Sequence, residues 1–517
     1  MKKFTKKLFV VSLAAAMALT GTACGSGEAP PAKELITERS SETLNIRIAE
    51  DVKTLDPYEK TNDSEFTVIS QIYEPLYRLA DDTSEIPVLA TGYVIEDVGL
   101  TYTFTLRDDV TFSNGKMLTA EDVKYSLERS MAAASPSSTI TFIESVEADE
   151  EAHEVSLHMS IPAPGLIADL SNVPIICQTF AEEHADENGS LGFNACGTGP
   201  YVYAEHVSGS YVSLGINENY YGELPAIPTL NFVLISDEYE AVNALRNNRL
   251  DIIMGLSADA KEELADNEAV STMELPENHV TFIVINTEQP LFENKYIRRA
   301  ISTAINKEAL ISETQNGGAV ADSMATPYMI GYSDIEPRYS YDLTHTRQLL
   351  NGCGYLESLD IGEIQVLTDS YLADVGTVLQ KQLAEADIHA TVTELDAREL
   401  FDNCMSGSFN VAVMVQNNAY DMNWLSTFYS SEYIDNLNMA RYSDEELDEL
   451  LVKASVSIDP ERRIKIYNEA LIEAEKSCAY IPLFNRSICH AWASELDYIP
   501  SVHTPIFSPC SWEQPNE

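Results

Sequence analysis

Where apolar and polar residues alternate one by one, a chain reads as a half-buried strand, because successive side chains point to opposite faces of a sheet. Thr101 to Leu106 shows that alternation most cleanly, with Tyr102, Phe104 and Leu106 set between threonines. Ser113-Asn114-Gly115-Lys116 then reads as a turn. Thr119-Ala120-Glu121-Asp122 supplies the hydroxyl and acids of a helix start before Val123, Tyr125 and Leu127. Further strands are predicted over 44–49, 143–146, 154–158, 211–215, 231–235, 280–286, 365–368, 390–395 and 409–415. Elsewhere the apolar spacing is three and four. Phe66, Ile69, Ile72, Tyr73 and Leu76 share a helical face, Leu379 and Leu383 point inward from 375–386, and 445–454 and 461–475 are amphipathic. The last of these opens on Asp459-Pro460, a capping residue and a proline at the first helical position. Strand 365–368, helix 375–386 and strand 390–395 together predict a β-α-β unit.

With 517 residues the chain is long enough for two or more separate cores. Its 32 basic and 82 acidic residues give a net charge of −50, which excludes nucleic acid as a partner. The acids are spread through apolar patterning, and 45% hydrophobic content supports a folded chain with a solvated acidic surface rather than an acidic tail. The first 23 residues read differently. Lys2, Lys3, Lys6 and Lys7 precede an apolar run over 8–19, and Gly21-Thr22-Ala23 then leads to Cys24, the pattern of a bacterial lipoprotein signal. In such signals the cysteine becomes the first mature residue and carries acyl chains that hold the protein to the membrane. The apolar run falls short of the roughly 20 residues that a spanning helix needs. Removal of residues 1–23 leaves 28 basic against 82 acidic residues, a net −54. Residues 24–42, rich in Gly, Pro, Ser and Glu, read as a flexible tether.

Several chemical motifs are suggested and then fail on spacing. His153-Glu154 and His158 have the composition of a zinc helix, but the two histidines are five apart in an alternating strand and so face opposite ways. Gly197-Thr198-Gly199-Pro200-Tyr201 has no third glycine at dinucleotide-binding spacing and leads from turn to strand. Asn114-Gly115-Lys116-Met117 lacks both the upstream glycine and the hydroxyl residue of a phosphate loop. Neither a GxSxG elbow nor an HExxH helix occurs. Of eight cysteines, seven remain once Cys24 is acylated; Cys177–Cys196 and Cys478–Cys489 are candidate local pairs, and spacing alone leaves the connectivity open.

Six words in the chain carry a family resemblance: Thr54-Leu55-Asp56-Pro57, Tyr73-Glu74-Pro75-Leu76, the stretch from Asp97 to Arg129, Gly197-Thr198-Gly199-Pro200-Tyr201, the helix 297–307, and Ile481-Pro482-Leu483. Together they resemble the peptide/nickel family of ABC-importer solute-binding proteins, over roughly residues 43–495. Val98 separates Asp97 from Gly99, and Asn248 stands where the family has a glycine before Asp251. The resemblance implies an α/β, two-lobed periplasmic-binding-protein-like fold with an additional α/β subdomain in the first lobe. It places the first lobe at 43–279, with its subdomain at about 58–190 and its completion at 482–517. The second lobe is 280–481, and segments near 278–282 and 478–482 cross the hinge.

The resemblance further implies that the protein is no enzyme and needs no cofactor or metal. It implies a monomer, lipid-anchored on the extracytoplasmic face of the cell membrane, that closes on a short peptide and delivers it to ABC permease subunits. A nickel chelate or another small cationic solute is the alternative ligand, and a secreted hydrolase the distant alternative function. Ligand-facing positions carried over from the family are Asp63, Ser64 and Glu65, then Thr368, Asp369 and Tyr371, then Asn417, Asn418, Tyr420, Asp421 and Trp424 in the loop 417–424. Peptide-binding members anchor the ligand ammonium on an acid where this chain has Ala419, and nickel-type members have His where it has Asn423. A buried ammonium requires a paired acid, so the expectation is that Asp421, or else Glu65, takes that role.

Overall fold

The computed structural model describes residues 39–134, 138–314, 317–332, 338–368, 370–417 and 421–512. The expected signal segment and nearly all of the tether lie outside these residues. Two sheets organise the chain. The first has seven strands, with Thr43–Ile48 near its centre, parallel to Thr229–Leu234 from Thr43↔Thr229 to Ile48↔Leu234. Leu44, Ile46 and Ile48 are buried on one face of that strand, where they meet helix Asp63–Ile72 and the C-terminal Phe507. The second sheet has six strands, in the order Ala319–Val320, Tyr480–Asn485, His279–Ile285, Val411–Asn417, Leu359–Leu367, Ile388–Leu395.

The alternation at Thr101–Leu106 forms the second strand of a separate four-stranded sheet, with Tyr102, Phe104 and Leu106 in its core. Helix Ala120–Ala133 covers that core. Its start is a capping box, in which Thr119 accepts from the Asp122 amide and the Asp122 carboxylate accepts from the Thr119 amide at 3.0 Å. The Val98 insertion is absorbed in the hairpin turn, where Asp97 and Val98 both adopt left-handed conformation and the Gly99 amide closes on the Glu96 carbonyl. Asn248 likewise takes the left-handed conformation required where the resemblance expects glycine.

The words that carry the resemblance meet one another in space. Asp56 is buried and receives the Arg129 guanidinium at 2.8 Å, which ties the first word to the end of the third. Glu74 receives the Thr198 hydroxyl at 3.1 Å, and Gly197 packs so closely on the Ile72 carbonyl that an added Cβ would lie 2.0 Å from it. These residues are therefore scaffold, holding helix, subdomain and sheet together.

The β-α-β unit is present as Leu359–Leu367, helix Tyr371–Glu385 and Ile388–Leu395, the two strands parallel. Its first strand begins six residues before the predicted start. The pairing register shifts between Asp360 and Glu363, and that irregularity breaks the alternation from which a strand is read.

The chain passes between the sheets twice, and the two passages are side by side. Val270–Pro276 pairs antiparallel with Ser487–Ala493 in the first sheet, and His279–Ile285 pairs antiparallel with Tyr480–Asn485 in the second. At the junction the Glu277 amide donates to the Arg486 carbonyl at 2.8 Å, and Asn485 Nδ2 donates to the His279 carbonyl at 2.8 Å. The chain thus passes from one sheet to the other at 277–278 and at Arg486. The pairing considered for Cys478 and Cys489 is not made. Cys478 packs in the core of the second sheet and Cys489 in that of the first, separated by extended chain of about 3.3 Å per residue, far more than a disulfide spans.

At the start of strand Tyr480–Asn485, a cavity of about 30 Å³ lies among Ser302, Lys307, Asp322, Glu475 and Tyr480, room for one water. Burial pushes the Glu475 carboxyl up to about 8 against the opposing pull of Lys307. In the unfolded chain a glutamate titrates near about 4.3. Between these values the folded state binds more protons, so the contribution of Glu475 to stability is full below the lower value and lost as pH rises through the upper. Urea midpoints measured from pH 5 to 8 are expected to fall with pH in the wild type and to fall less in Glu475→Gln. An unchanged slope would contradict the assignment.

Candidate ligand-binding site

The carboxyl ends of parallel strands and the starts of the helices that follow them point toward the crossing, the position at which open α/β sheets bind ligands. On the first-lobe side, helix Asp63–Ile72 starts at Asn62, whose side chain accepts from the Glu65 amide. Asp63 is exposed in its first turn. Ser64 Oγ accepts from the Glu50 amide at 3.2 Å. Glu65 is fully buried, and its carboxylate accepts from the Lys53 amide at 3.0 Å and the Thr61 amide at 2.6 Å. Its carboxylate thus holds the loop 53–61.

On the second-lobe side Thr368 Oγ1 donates to Glu394 at 3.0 Å. Tyr371 opens helix Tyr371–Glu385, its hydroxyl 3.1 Å from Thr281 Oγ1 and its ring under the Arg486 guanidinium at 5.2 Å. Arg486 is held in turn by Glu277, with Nε 3.2 Å from the carboxylate. Burial raises the Tyr371 phenol above its ordinary range, so it acts as a neutral hydroxyl. Asn417 ends strand Val411–Asn417. Asp369, Asn418, Ala419 and Tyr420 lie outside the described residues.

Asp421 and Trp424 are placed differently from the expectation. Both Asp421 oxygens are taken by Arg463, through NH1 at 2.7 Å and through NH2, and Oδ1 also accepts from the Asn423 amide at 2.8 Å. Asp421 is 3% exposed and Arg463 6% exposed. The anchoring role calls for a carboxylate open to a ligand ammonium, whereas this one is already neutralised. Trp424 is buried among Phe428, Met439 and Tyr480, and its indole N–H points to Met329 Sδ at 3.0 Å. It fills the second-lobe core.

Sequence reasoning missed Arg463. The signal was a lone arginine in the stripe Arg463, Tyr467, Ala470, Leu471, Ala474, all buried on one face of helix Pro460–Ser477. A cation at an otherwise apolar inward position announces an internal acid partner. It also missed the glycine that faces this pair. Gly165 lies against the Asp421 carboxylate, so that an added Cβ would be 2.5 Å from Asp421 Cγ. This contact joins the subdomain to the second lobe, and Tyr328 against His503, ring centroids 6.2 Å apart, joins the lobes elsewhere.

Residues 85–436 match the family model described as bacterial extracellular solute-binding proteins, family 5 middle region. A glutathione-binding protein, GsiB, of Salmonella typhimurium is 24% identical over 474 residues, 87% of this chain and 90% of that protein. HbpA2 from Haemophilus parasuis superposes with a TM-score of 0.83 at 21% identity, over 91% of this chain and 100% of that one. DppA from Helicobacter pylori, a periplasmic binding protein in complex with the peptide STSA, superposes with a TM-score of 0.73 at 23% identity, over 93% and 100% of the two chains. These likenesses establish the two-lobed fold.

Removing one member of a buried ion pair strands the other, at a cost of about 3–5 kcal/mol. Arg463→Ala is expected to lower stability by that order in urea denaturation, and Arg463→Met combined with Asp421→Leu to recover most of it. If Arg463→Ala costs no more than a surface change, the pair is not buried as described.

Proposed function

Because the chain belongs to the family of bacterial extracellular solute-binding proteins, we propose that it is the receptor of an ABC importer that captures short peptides between its lobes and passes them to the membrane permease. It binds its solute and is not an enzyme. The observation that carries the reading is the paired-strand crossing between two sheets, within a chain whose family match spans 85–436. Solute contacts that both lobes share exist only when the lobes are together, so binding shifts the population toward closure. Peptide is favoured as the ligand class by the named ligands of two similar proteins, glutathione and the peptide STSA.

We assign the ligand contacts to Asp63, Thr368, Asp369, Tyr371, Asn417, Asn418 and Tyr420, and give Ser64, Glu65, Asp421 and Trp424 the role of walls that hold the loops in place. With Asp421 and Glu65 both engaged internally, the ammonium of the peptide is not the principal anchor, and hydrogen bonds to the peptide backbone carry recognition instead. The −54 surface of the mature chain favours cationic peptides over anionic ones at long range. Cys24 is assigned as the acylated residue, and the tether 24–42 sets the distance between receptor and membrane.

Calorimetry against a panel of short peptides is expected to show binding without turnover, with stabilisation of about 2.7 kcal/mol at a hundredfold excess over Kd. N-acetylated and free-amine forms of the best peptide should bind within a factor of a few of each other, and small-angle scattering should show compaction with either. A free-amine preference of a hundredfold or more would restore an acid to the anchor role, and an unchanged scattering profile with ligand bound would refute closure.

The membrane assignment is tested by fractionation. Cys24→Ser is expected to move the protein from the membrane to the soluble fraction, and unchanged membrane association would overturn the lipid anchor.

A further inference from the structure

The described residues contain seven cysteines, all with free thiols, and two of them are reached by adjacent side chains of one turn. Cys177 is the capping position before helix Gln178–His184, and Cys196 directly precedes Gly197-Thr198-Gly199-Pro200-Tyr201. Both cysteines belong to one buried cluster, beneath the turn that carries Ser113 and Asn114. Polar groups surround the pair. Ser113 Oγ donates to Cys196 Sγ at 3.6 Å, Asn114 Nδ2 donates to Cys177 Sγ at 3.7 Å, and Thr179 Oγ1 lies 3.4 Å from Cys177 Sγ. Thiols that merely fill a core sit among apolar neighbours, and here three polar side chains are aimed at the two sulfurs. Cys404, Cys478, Cys489 and Cys510 belong to other clusters.

We propose that Cys177 and Cys196 are a modification site, joined as a disulfide by a thiol-oxidising partner when the chain is exported, and that this bond fastens the subdomain to the seven-stranded sheet. Both cysteines lie in the subdomain core, and from Cys196 the chain runs on into strand Tyr201–Val207 of the first sheet. The residue after Cys196 packs without spare room, Gly197 lying against the Ile72 carbonyl and its own carbonyl accepting from the Ser113 amide at 2.9 Å. A bond at this point therefore fixes the turn that seats the end of helix Asp63–Ile72.

The chemistry balances with any disulfide as oxidant. The Cys177 thiolate attacks one sulfur of the oxidant, forming a mixed disulfide and releasing one thiol. Cys196 gives up its proton and attacks Cys177 Sγ, and the second oxidant thiol leaves. Two electrons and two protons pass from the protein to the oxidant. The same balance holds if Cys196 attacks the oxidant first and Cys177 resolves the mixed disulfide. Both residues are buried, at 2% and 3% exposure, so attack is easiest before folding is complete, and the finished bond is shielded from reductants. The proposal shares with the functional reading only the premise of export, and oxidation of purified protein tests it without that premise.

Full-length protein is refolded with oxidised glutathione or with dithiothreitol, and cells producing it are quenched with iodoacetamide before lysis. The expected results are an oxidised form about 2 Da lighter than the reduced one, and a non-reducing digest in which the peptides bearing Cys177 and Cys196 are joined. The oxidised form should also melt about 5 °C higher. Cys196→Ser should abolish the joined peptide and the shift. Carboxamidomethylation of both residues in quenched cells, with no mass loss on oxidative refolding, would overturn the proposal, as would joining of Cys177 to any other cysteine. Because the decisive readings come from the wild-type chain, a variant that fails to fold leaves them intact.

Discussion

Everything in this molecule hangs on one antiparallel ribbon. Val270–Pro276 with Ser487–Ala493, then His279–Ile285 with Tyr480–Asn485, form a nearly continuous two-stranded ladder that belongs to one sheet at one end and to another sheet at the other. Two strands that cross together, with a backbone hydrogen bond between Glu277 and Arg486 at the crossing, can bend or twist as a unit, but sliding of one past the other would break the ladders on both sides. The lobes are therefore free in few directions. Hinge closure, rather than sliding, is the motion this connection permits. The ion pair of Arg486 with Glu277 and the stacking of Arg486 over Tyr371 place side chains of both crossings next to the first residue of a second-lobe helix.

The second theme is how an acidic chain treats its buried acids. Asp56 is met by Arg129, Asp251 by Arg39 at 2.8 Å and the Asn45 amide at 2.8 Å, and Asp421 by Arg463. An isolated buried carboxylate costs several kcal/mol, and each of these is relieved by a cation or by backbone amides. The scarcity of basic residues makes those choices visible: several of the few arginines are spent inside, tying segments distant in sequence. Asp421 is engaged in this way at the face where the subdomain meets the second lobe, against Gly165. What reads in the sequence as ligand chemistry is, in this pair, the cohesion of the protein itself.

Local order was legible in the sequence wherever one short stretch carried its own physics. The alternation at Thr101–Leu106, the capping box of Thr119 and Asp122, the proline-started helix Pro460–Ser477 and the β-α-β unit all follow from spacing and capping within about a dozen residues. The six words also fixed the family, and with it the two-lobed architecture. What they did not disclose is why they are there, since Asp56–Arg129, Glu74–Thr198 and Gly197 on Ile72 are contacts between words rather than within them.

The fates of individual site residues were decided by tertiary structure alone. Ser64, Glu65, Asp421 and Trp424 stand at motif positions that suggest ligand contact, but Glu65 is turned to Lys53 and Thr61, Asp421 to Arg463, and Trp424 into the core. An acid has the same letter whether it is open or paired, and its partner lies at a sequence separation that no local pattern encodes, 42 residues for Asp421 and Arg463. Sequence determined which elements form and which family they build, because those depend on neighbours along the chain. Packing determined which charges remain to meet a ligand, because that depends on which distant side chain arrives first.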